Sequence, residues 1–391
     1  MERRRDLTSL LPNRHEPRQL FSFSAVLYFD HNASSPLCAP AREAWLDAVS
    51  RFVGNASSPH RLGARADAAL TVAREKLAAS LGCNPGSIVW TSGATESNNT
   101  VIRHFCGEGE AWVSTIEHPC VLESVKQLFA GRFRLIPVNS SGVMEIGWLE
   151  TAFRRSKPAF VGLMAANNET GVLQPWKEAG ALCREHGVPF FCDAAQWLGK
   201  LPSSGLGECD FVSGCAHKFG GPQGVGFLKC PVRLRPLLYG GPQEDGRRAG
   251  TENVAGILAM VAALDARMAT GEAAAKVQLR NRFEEELRRL SPGVEIIGAG
   301  TDRLWNTVSA VMPEVDCRQR WVVKLDKLGF AVSTGSACAS GKEESSHVLR
   351  AMGCSSAPRV LRFSSGWETT QHDWDQLLDG IRRAYAELTA L

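Results

Sequence analysis

Two spacings of apolar residues recur along this chain, one of period two and one near 3.6, and they divide it into strands and helices. Val26-Leu-Tyr-Phe29 predicts a short strand running into Asp30-His-Asn-Ala-Ser-Ser-Pro36. Helical spacing over Ala39–Val53 and Ala64–Leu81 predicts two helices around the loop Asn55–His60, the second closed by Gly82. Strands are then expected at Ser87–Trp90, Ala111–Ser114, Phe133–Val138, Phe160–Ala165, Val188–Cys192, Phe211–Ser213 and Val225–Lys229. Helices at Thr95–Phe105, His118–Ala130 and Trp176–His186 separate several of them. That alternation predicts parallel strands joined by crossover helices, an α/β fold with a mostly parallel sheet.

Beyond the glycine-rich stretch Tyr239–Gly250, a helix over Thr251–Thr270 marks the edge of a large domain, residues 37–270. A charged helix, Ala273–Leu290, opens a smaller α+β domain, residues 271–391, whose remainder reads as strand, helix, strand and helix. Segment 25–36 is expected to join the smaller domain, and residues 1–24 read as a loose extension. No fixed-period repeat or low-complexity tract interrupts the pattern.

A length of 391 residues fits this division, at about 100–200 residues per domain. With 44% apolar and 22% charged residues the chain reads as globular, and a net charge of +3 is too balanced to suggest a nucleic-acid or membrane-surface role. Its twelve cysteines include no C-x-x-C pair. Cys83, Cys183, Cys192 and Cys230 lie in apolar segments and read as small buried hydrophobes. A disulfide framework is not expected at this length, so the expected location is a reducing cytoplasm. The basic start, Met1-Glu-Arg-Arg-Arg-Asp6, lacks a following apolar stretch, and Glu2, Asp6 and Glu16 oppose a transit peptide. No apolar run approaches the ~20 residues of a membrane span.

Four segments carry candidate chemistry. Trp90-Thr-Ser-Gly-Ala-Thr-Glu96 is a strand, a small-residue turn and a helix start, which suits a phosphate or simply a turn with a hydroxyl N-cap. Asp193 in Cys192-Asp-Ala-Ala-Gln196 ends a buried strand, where open sheets bind ligands, although a helix N-cap would look the same. Lys218 stands between an apolar strand and Phe219-Gly-Gly-Pro222, a setting in which desolvation can prepare a Schiff-base amine. Together these are the lysine, acid and phosphate cup that pyridoxal phosphate needs. Cys338, in Val332-Ser-Thr-Gly-Ser-Ala-Cys-Ala-Ser-Gly341, lies in a small-residue run that predicts a mobile exposed loop and a candidate nucleophile.

These segments occur in one order with Glu117-His118, Asn167-Asn-Glu-Thr-Gly171, His217-Lys218, Arg248-Ala-Gly-Thr251, Val348-Leu-Arg-Ala-Met-Gly353 and Arg362-Phe-Ser364. The set resembles the cysteine desulfurases of the nitrogen-fixation and iron–sulfur assembly type, fold-type I pyridoxal-phosphate enzymes of aminotransferase class V. The resemblance runs from about Val26 to the last helix.

It implies that Lys218 binds the cofactor covalently and that Asp193 pairs with its pyridine nitrogen. Gln196 and Asn168 would bond the phenolic oxygen, and His118 would stack on the ring and move protons. Ala94, Thr95 and His217 would hold the phosphate, joined by Thr251 of a partner subunit in a homodimer. Arg362 and Asn32 would bind the substrate, L-cysteine. Cys338 would take its sulfur as a persulfide, leave L-alanine, and pass the sulfur to an acceptor protein. No metal is implied.

Three departures stand out. Cys215 occupies the place of a phosphate-binding Ser or Thr, with Ser213 a candidate to compensate, and a thiol is the poorer donor. His31 replaces a common Asn, and the sequence stops at Leu391 without the scaffold-docking tail of housekeeping members. The competing readings are a selenocysteine lyase or aminotransferase of the same class, an idle scaffold that kept the fold, and a nucleotide-binding module. Cys338 argues against an aminotransferase, the intact residue set against a scaffold, and the missing G-x-G-x-x-G against a nucleotide site.

Overall fold

The computed structural model describes residues 26–268, 271, 273–291, 293–315, 318–334 and 346–389. The chain enters through β1 (Leu27–Tyr28), α1 (Ala39–Arg51) and α2 (Arg61–Leu81). It continues through β2 (Ile88–Thr91), α3 (Ala94–Phe105), β3 (Ala111–Ser114), α4 (Pro119–Phe129) and β4 (Phe133–Ile136). Next come α5 (Ile146–Phe153), β5 (Phe160–Met164), α6 (Trp176–His186), β6 (Phe190–Asp193), β7 (Phe211–Cys215) and β8 (Gly226–Lys229). Helices α7 (Val254–Met268) and α8 (Ala273–Leu290) lead into β9 (Glu295–Ile296), β10 (Thr307–Val311), α9 (Arg318–Lys327) and β11 (Phe330–Ala331). The last elements are α10 (His347–Ala351), β12 (Val360–Ser364) and α11 (Gln371–Thr389).

A seven-stranded sheet of order β2-β8-β7-β6-β5-β3-β4 forms the centre. Strands β2, β3, β5, β6 and β7 are buried along their whole length, as expected where helices cover both faces. From β7 to β4 every pairing is parallel, whereas β8 runs antiparallel to both neighbours. The sheet is thus mostly parallel, as expected, with β8 as its antiparallel exception. A parallel return needs a crossover of about a dozen residues or more, and the link 216–225 holds only a one-turn 3-10 helix at Ala216–Lys218. The chain turns straight back instead.

A second sheet, β12-β10-β9, is antiparallel and packs with α8, α9 and α11 around Phe283, Leu287, Trp321, Trp374 and Ile381. Strand β1 pairs in parallel with β11, and Phe29 sits in that same core. The N-terminal strand is thus bonded to the C-terminal part of the chain. Three short elements, β9, β11 and α10, lie beyond the strand–helix–strand–helix expected there, and α5 was not expected at all. Such elements span too few residues to show a period. Gly82 ends α2 in the left-handed region at φ 76°, as its position predicted.

Candidate active site

The carboxyl ends of β5, β6 and β7 open into a cavity of about 500 Å³, the place where parallel sheets present ligand-binding groups. Asp193, the last residue of β6, lies on its wall and is 5% exposed. One carboxylate oxygen accepts the Ala195 N–H at 3.0 Å, so Asp193 closes a local turn rather than capping a helix. The other accepts Asn98 Nδ2 at 2.7 Å. Both donors are neutral, so this buried carboxylate suits a cationic partner in the cavity, such as a protonated pyridine.

Lys218 reaches the cavity from the turn after β7, and its Nζ donates to the carbonyls of Asn32 (2.6 Å) and Ala33 (2.9 Å). The turn needs glycine after Phe219: a Cβ at Gly221 would stand 2.7 Å from that of Ala216. Across the cavity, Ser92, Gly93, Ala94 and Thr95 bring the N-terminus of α3 to the wall. Gly93 takes the N-cap place without a side-chain bond, which sets aside the hydroxyl cap and leaves a positive helix end for an anion. A Cβ on Gly226 of β8 would lie 2.6 Å from Gly93 Cα, so this close approach depends on a glycine at 226. Burial would raise Glu96, but hydrogen bonds from Arg248 and Ser92 hold it below its ordinary value. The lysine, the acid and the helix end fit pyridoxal phosphate.

Cys215 lines the cavity at the same helix end, and burial pushes its thiol up to about 11. Ser213 does not compensate. Its hydroxyl is buried without a partner among the described residues and does not reach the cavity wall. His217 lines the cavity and is lowered to about 4 by burial and by the amines of Lys218 and Lys200.

His118 caps α4, its Nδ1 accepting the Cys120 N–H at 3.2 Å. That bond puts the proton of the neutral ring on Nε2. Burial lowers His118, with the Asp193 charge opposing. Cys120, absent from the sequence reading, also lines the cavity, 3.0 Å from His118 Nδ1, with its thiol pushed up to about 12 by burial. Asn98 donates to Cys120 Sγ at 3.1 Å as well as to Asp193. Only its helical phase, one turn after Ala94, signals this in the sequence.

Gln196 and Asn168 line the cavity. Gln196 Nε2 donates to the Asn32 carbonyl at 2.9 Å. The Asn168 carbonyl accepts Asn32 Nδ2 at 3.2 Å and Arg362 Nη1 at 2.9 Å. Arg362 is 1% exposed and pairs with Asp30 at 2.6 Å. The amide of Asn32 has both hydrogens and both lone pairs engaged, with Asn168, Thr307, Lys200 and Asn306. It acts as a hub, and a substrate would have to exchange one of these bonds. Neither Asn32 nor Arg362 is among the described lining residues, and Thr251 is exposed away from its own chain's cavity. Cys83, read as buried, is half-buried, while Cys183, Cys192 and Cys230 are buried.

Cys338 lies outside the described residues, but the described residues on either side of that stretch bond to Arg362, Glu169 and Glu117, the last two being chain neighbours of the lining residues Asn168 and His118. Ser333 exchanges backbone bonds with Arg362 (2.7 and 3.2 Å). Ser346 Oγ donates to Glu169 at 2.6 Å, and the His347 ring meets the Glu117 carbonyl at 2.9 Å. Glu117 itself is fully buried, which raises its carboxyl to about 8. A carboxyl raised on folding loses stability as pH climbs from its unfolded value, near 4.5, to its folded one. Glu117→Gln should therefore melt close to the wild type at pH 5 and a few degrees above it at pH 9. Parallel melting curves across that range would disprove the assignment.

Residues 27–377 match the aminotransferase class-V family. A cysteine desulfurase of a Nostoc species is 37% identical over 94% of both chains. The crystal structure of a NifS-like protein from Rickettsia africae superimposes with a TM-score of 0.84 at 29% identity, covering 92% of this chain and 99% of that one. A structure described as SspA in complex with cysteine gives 0.75 at 30% identity over 86% and 98%. A family match that spans all three sheets and every element of the cavity leaves one conclusion: the chain belongs to the aminotransferase class-V family.

Proposed function

We propose that this protein is a pyridoxal-phosphate-dependent cysteine desulfurase, which converts L-cysteine to L-alanine and hands the sulfur to an acceptor protein. The observation that carries this reading is the single cavity shared by Lys218, Asp193, His118 and the start of α3. Relatives named cysteine desulfurase favour it over other reactions of the class. Bound pyridoxal phosphate supplies an electron sink that weakens bonds near the substrate α-carbon.

In this reading Lys218 holds the group covalently and later moves protons at the substrate. Asp193 keeps the ring nitrogen protonated, and Gln196 and Asn168 meet the phenolic oxygen. Ala94, Thr95 and His217 take the phosphate. His118, with its proton on Nε2, covers the ring and can donate that proton. Arg362 would meet the substrate carboxylate by exchanging a present bond, such as that to Asp30, for it, a task suited to a guanidinium. The Cys338 thiolate attacks the substrate sulfur, the carbon–sulfur bond breaks, and its electron pair stays on carbon to be protonated as alanine. The test is to add L-cysteine to the holoenzyme, measure alanine, and map the persulfide by alkylation and mass spectrometry. Pyruvate and ammonia in place of alanine would sink the proposal.

Cys215→Ser should tighten cofactor retention by roughly 0.5–1.5 kcal/mol, the net scale of one hydrogen bond, because a hydroxyl donates to phosphate better than a thiol. Dialysis of both forms measures it. Equal or faster loss from the Ser variant would show that Cys215 does not serve the phosphate.

A homodimer accounts for two further features. Trp45, Leu46 and Val49 on α1, with Val53 just beyond it, keep 40–74% of their surface exposed, an apolar face of the kind subunits cover. Thr251 is exposed where it can serve a second copy. Val49→Glu should shift the sedimentation velocity from dimer toward monomer; an unchanged dimer would place the interface elsewhere. The described cysteines are all free, in keeping with a cytoplasmic enzyme.

A further inference from the structure

Lys200 is a buried amine that the reading above leaves without a task. It is 4% exposed, and its carbonyl accepts the Trp305 indole N–H at 2.9 Å. It borders a separate cavity of about 230 Å³ beside Trp305 and Trp367, and is not among the residues lining the cofactor cavity. Among the described residues no carboxylate pairs with it. The charged side chains acting on it, Lys218 and Arg362, are cations, and only the Cys215 thiol opposes them. Burial first, and these cations second, hold Lys200 well below the ordinary lysine range. A buried amine in that position costs stability unless its hydrogen bonds serve something.

Those bonds are specific. Nζ donates to Gln196 Oε1 at 2.6 Å and to Asn32 Oδ1 at 3.1 Å. Charged or neutral, the amine has at least two N–H groups, and here they go to the two amide oxygens, which turns the oxygen of each amide toward Lys200. Gln196 Nε2 then faces the other way, where one hydrogen goes to the Asn32 carbonyl at 2.9 Å. The same carbonyl accepts Lys218 Nζ at 2.6 Å. The second hydrogen of Gln196 Nε2 remains for the cavity that Gln196 lines. Without Lys200 the amide could rotate and present its oxygen instead, which an electron-rich phenolic oxygen would repel.

We infer that Lys200 is a positioning residue, which fixes the amides of Gln196 and Asn32 so that Gln196 donates to the cofactor's phenolic oxygen. This rests on the proposed placement of Gln196 against the cofactor. The test is a double-mutant cycle of Lys200→Met, Gln196→Ala and the pair. Three quantities are read: pyridoxal-phosphate affinity by titration of the apoprotein, the ratio of visible absorption bands of the loaded protein at fixed pH, and apoprotein melting.

Lys200→Met should weaken pyridoxal-phosphate binding about 3- to 10-fold, the scale of one hydrogen bond, and change the band ratio. Apoprotein melting should not fall, because the buried amine has gone. In the Gln196→Ala background Lys200→Met should alter neither affinity nor spectrum further. Normal affinity and spectrum in Lys200→Met, or effects that add in full to those of Gln196→Ala, would overturn the inference. A Gln196→Ala protein with wild-type affinity and spectrum would instead refute the placement of Gln196. If the Met variant does not fold, Lys200→Gln replaces it in the cycle, since an amide that can donate or accept no longer dictates the rotation.

Discussion

Lys218→Ala should lose the visible absorption of covalently held pyridoxal phosphate and all turnover of L-cysteine. The physical reason is position. Lys218 Nζ lines the same cavity as Asp193 and the α3 N-terminus, held by two backbone carbonyls that orient it. The other buried amine nearby, Lys200, is fixed on Gln196 and Asn32 and does not line that cavity. Removing Lys218 leaves the Asn32 and Ala33 carbonyls one donor short, at roughly 1–3 kcal/mol each if water does not replace it. Melting should therefore fall modestly while the fold persists. Noncovalent binding through the phosphate site and Asp193 should survive, giving the colour of the free aldehyde. Borohydride reduction and peptide mapping decide the matter. A cofactor trapped at Lys218 in the wild type and nowhere in the variant is expected. Wild-type absorption and activity in Lys218→Ala, after removal and restoration of the cofactor, would refute the assignment.

Cys338→Ala should separate cofactor chemistry from sulfur chemistry. Every group read as holding the cofactor lies outside the stretch that carries Cys338, so the variant should stay yellow and still change its spectrum with L-cysteine. It should release almost no alanine and carry no persulfide, because no thiolate remains to accept the sulfur. The anchored flanks make a specific contrast available. Ser346 is bonded to Glu169, and Ser333 to the backbone of Arg362, so these ties should be unaffected by a change of thiol to methyl. A Cys338→Ala enzyme making alanine and sulfide at the wild-type rate would leave a lyase that needs no cysteine nucleophile. The cysteine would then be a loop residue.

The local part of the protein was legible in its sequence. Ala111–Ser114 as a strand and Trp176–His186 and Ala273–Leu290 as helices follow from spacing alone. The end of α2 at Gly82 follows from one residue's backbone freedom. The order of short motifs named the family before any geometry was known, because each motif is a contiguous stretch whose turn and residue types are set by its own neighbours.

The rest depended on which distant segments meet. The direction of β8 was decided by a link too short for a crossover, and period-two spacing carries no direction. Cys120 became a wall residue because α3 brings Asn98 against it, and nothing in its own helix marks it. Asn32 and Lys200 are 168 positions apart, and Asn32 and Asn306 are 274. Apolar periodicity records which face of an element is buried, since burial acts residue by residue. Hydrogen-bond direction inside a buried polar network depends on every partner at once, so only the folded chain decides which way Gln196 turns.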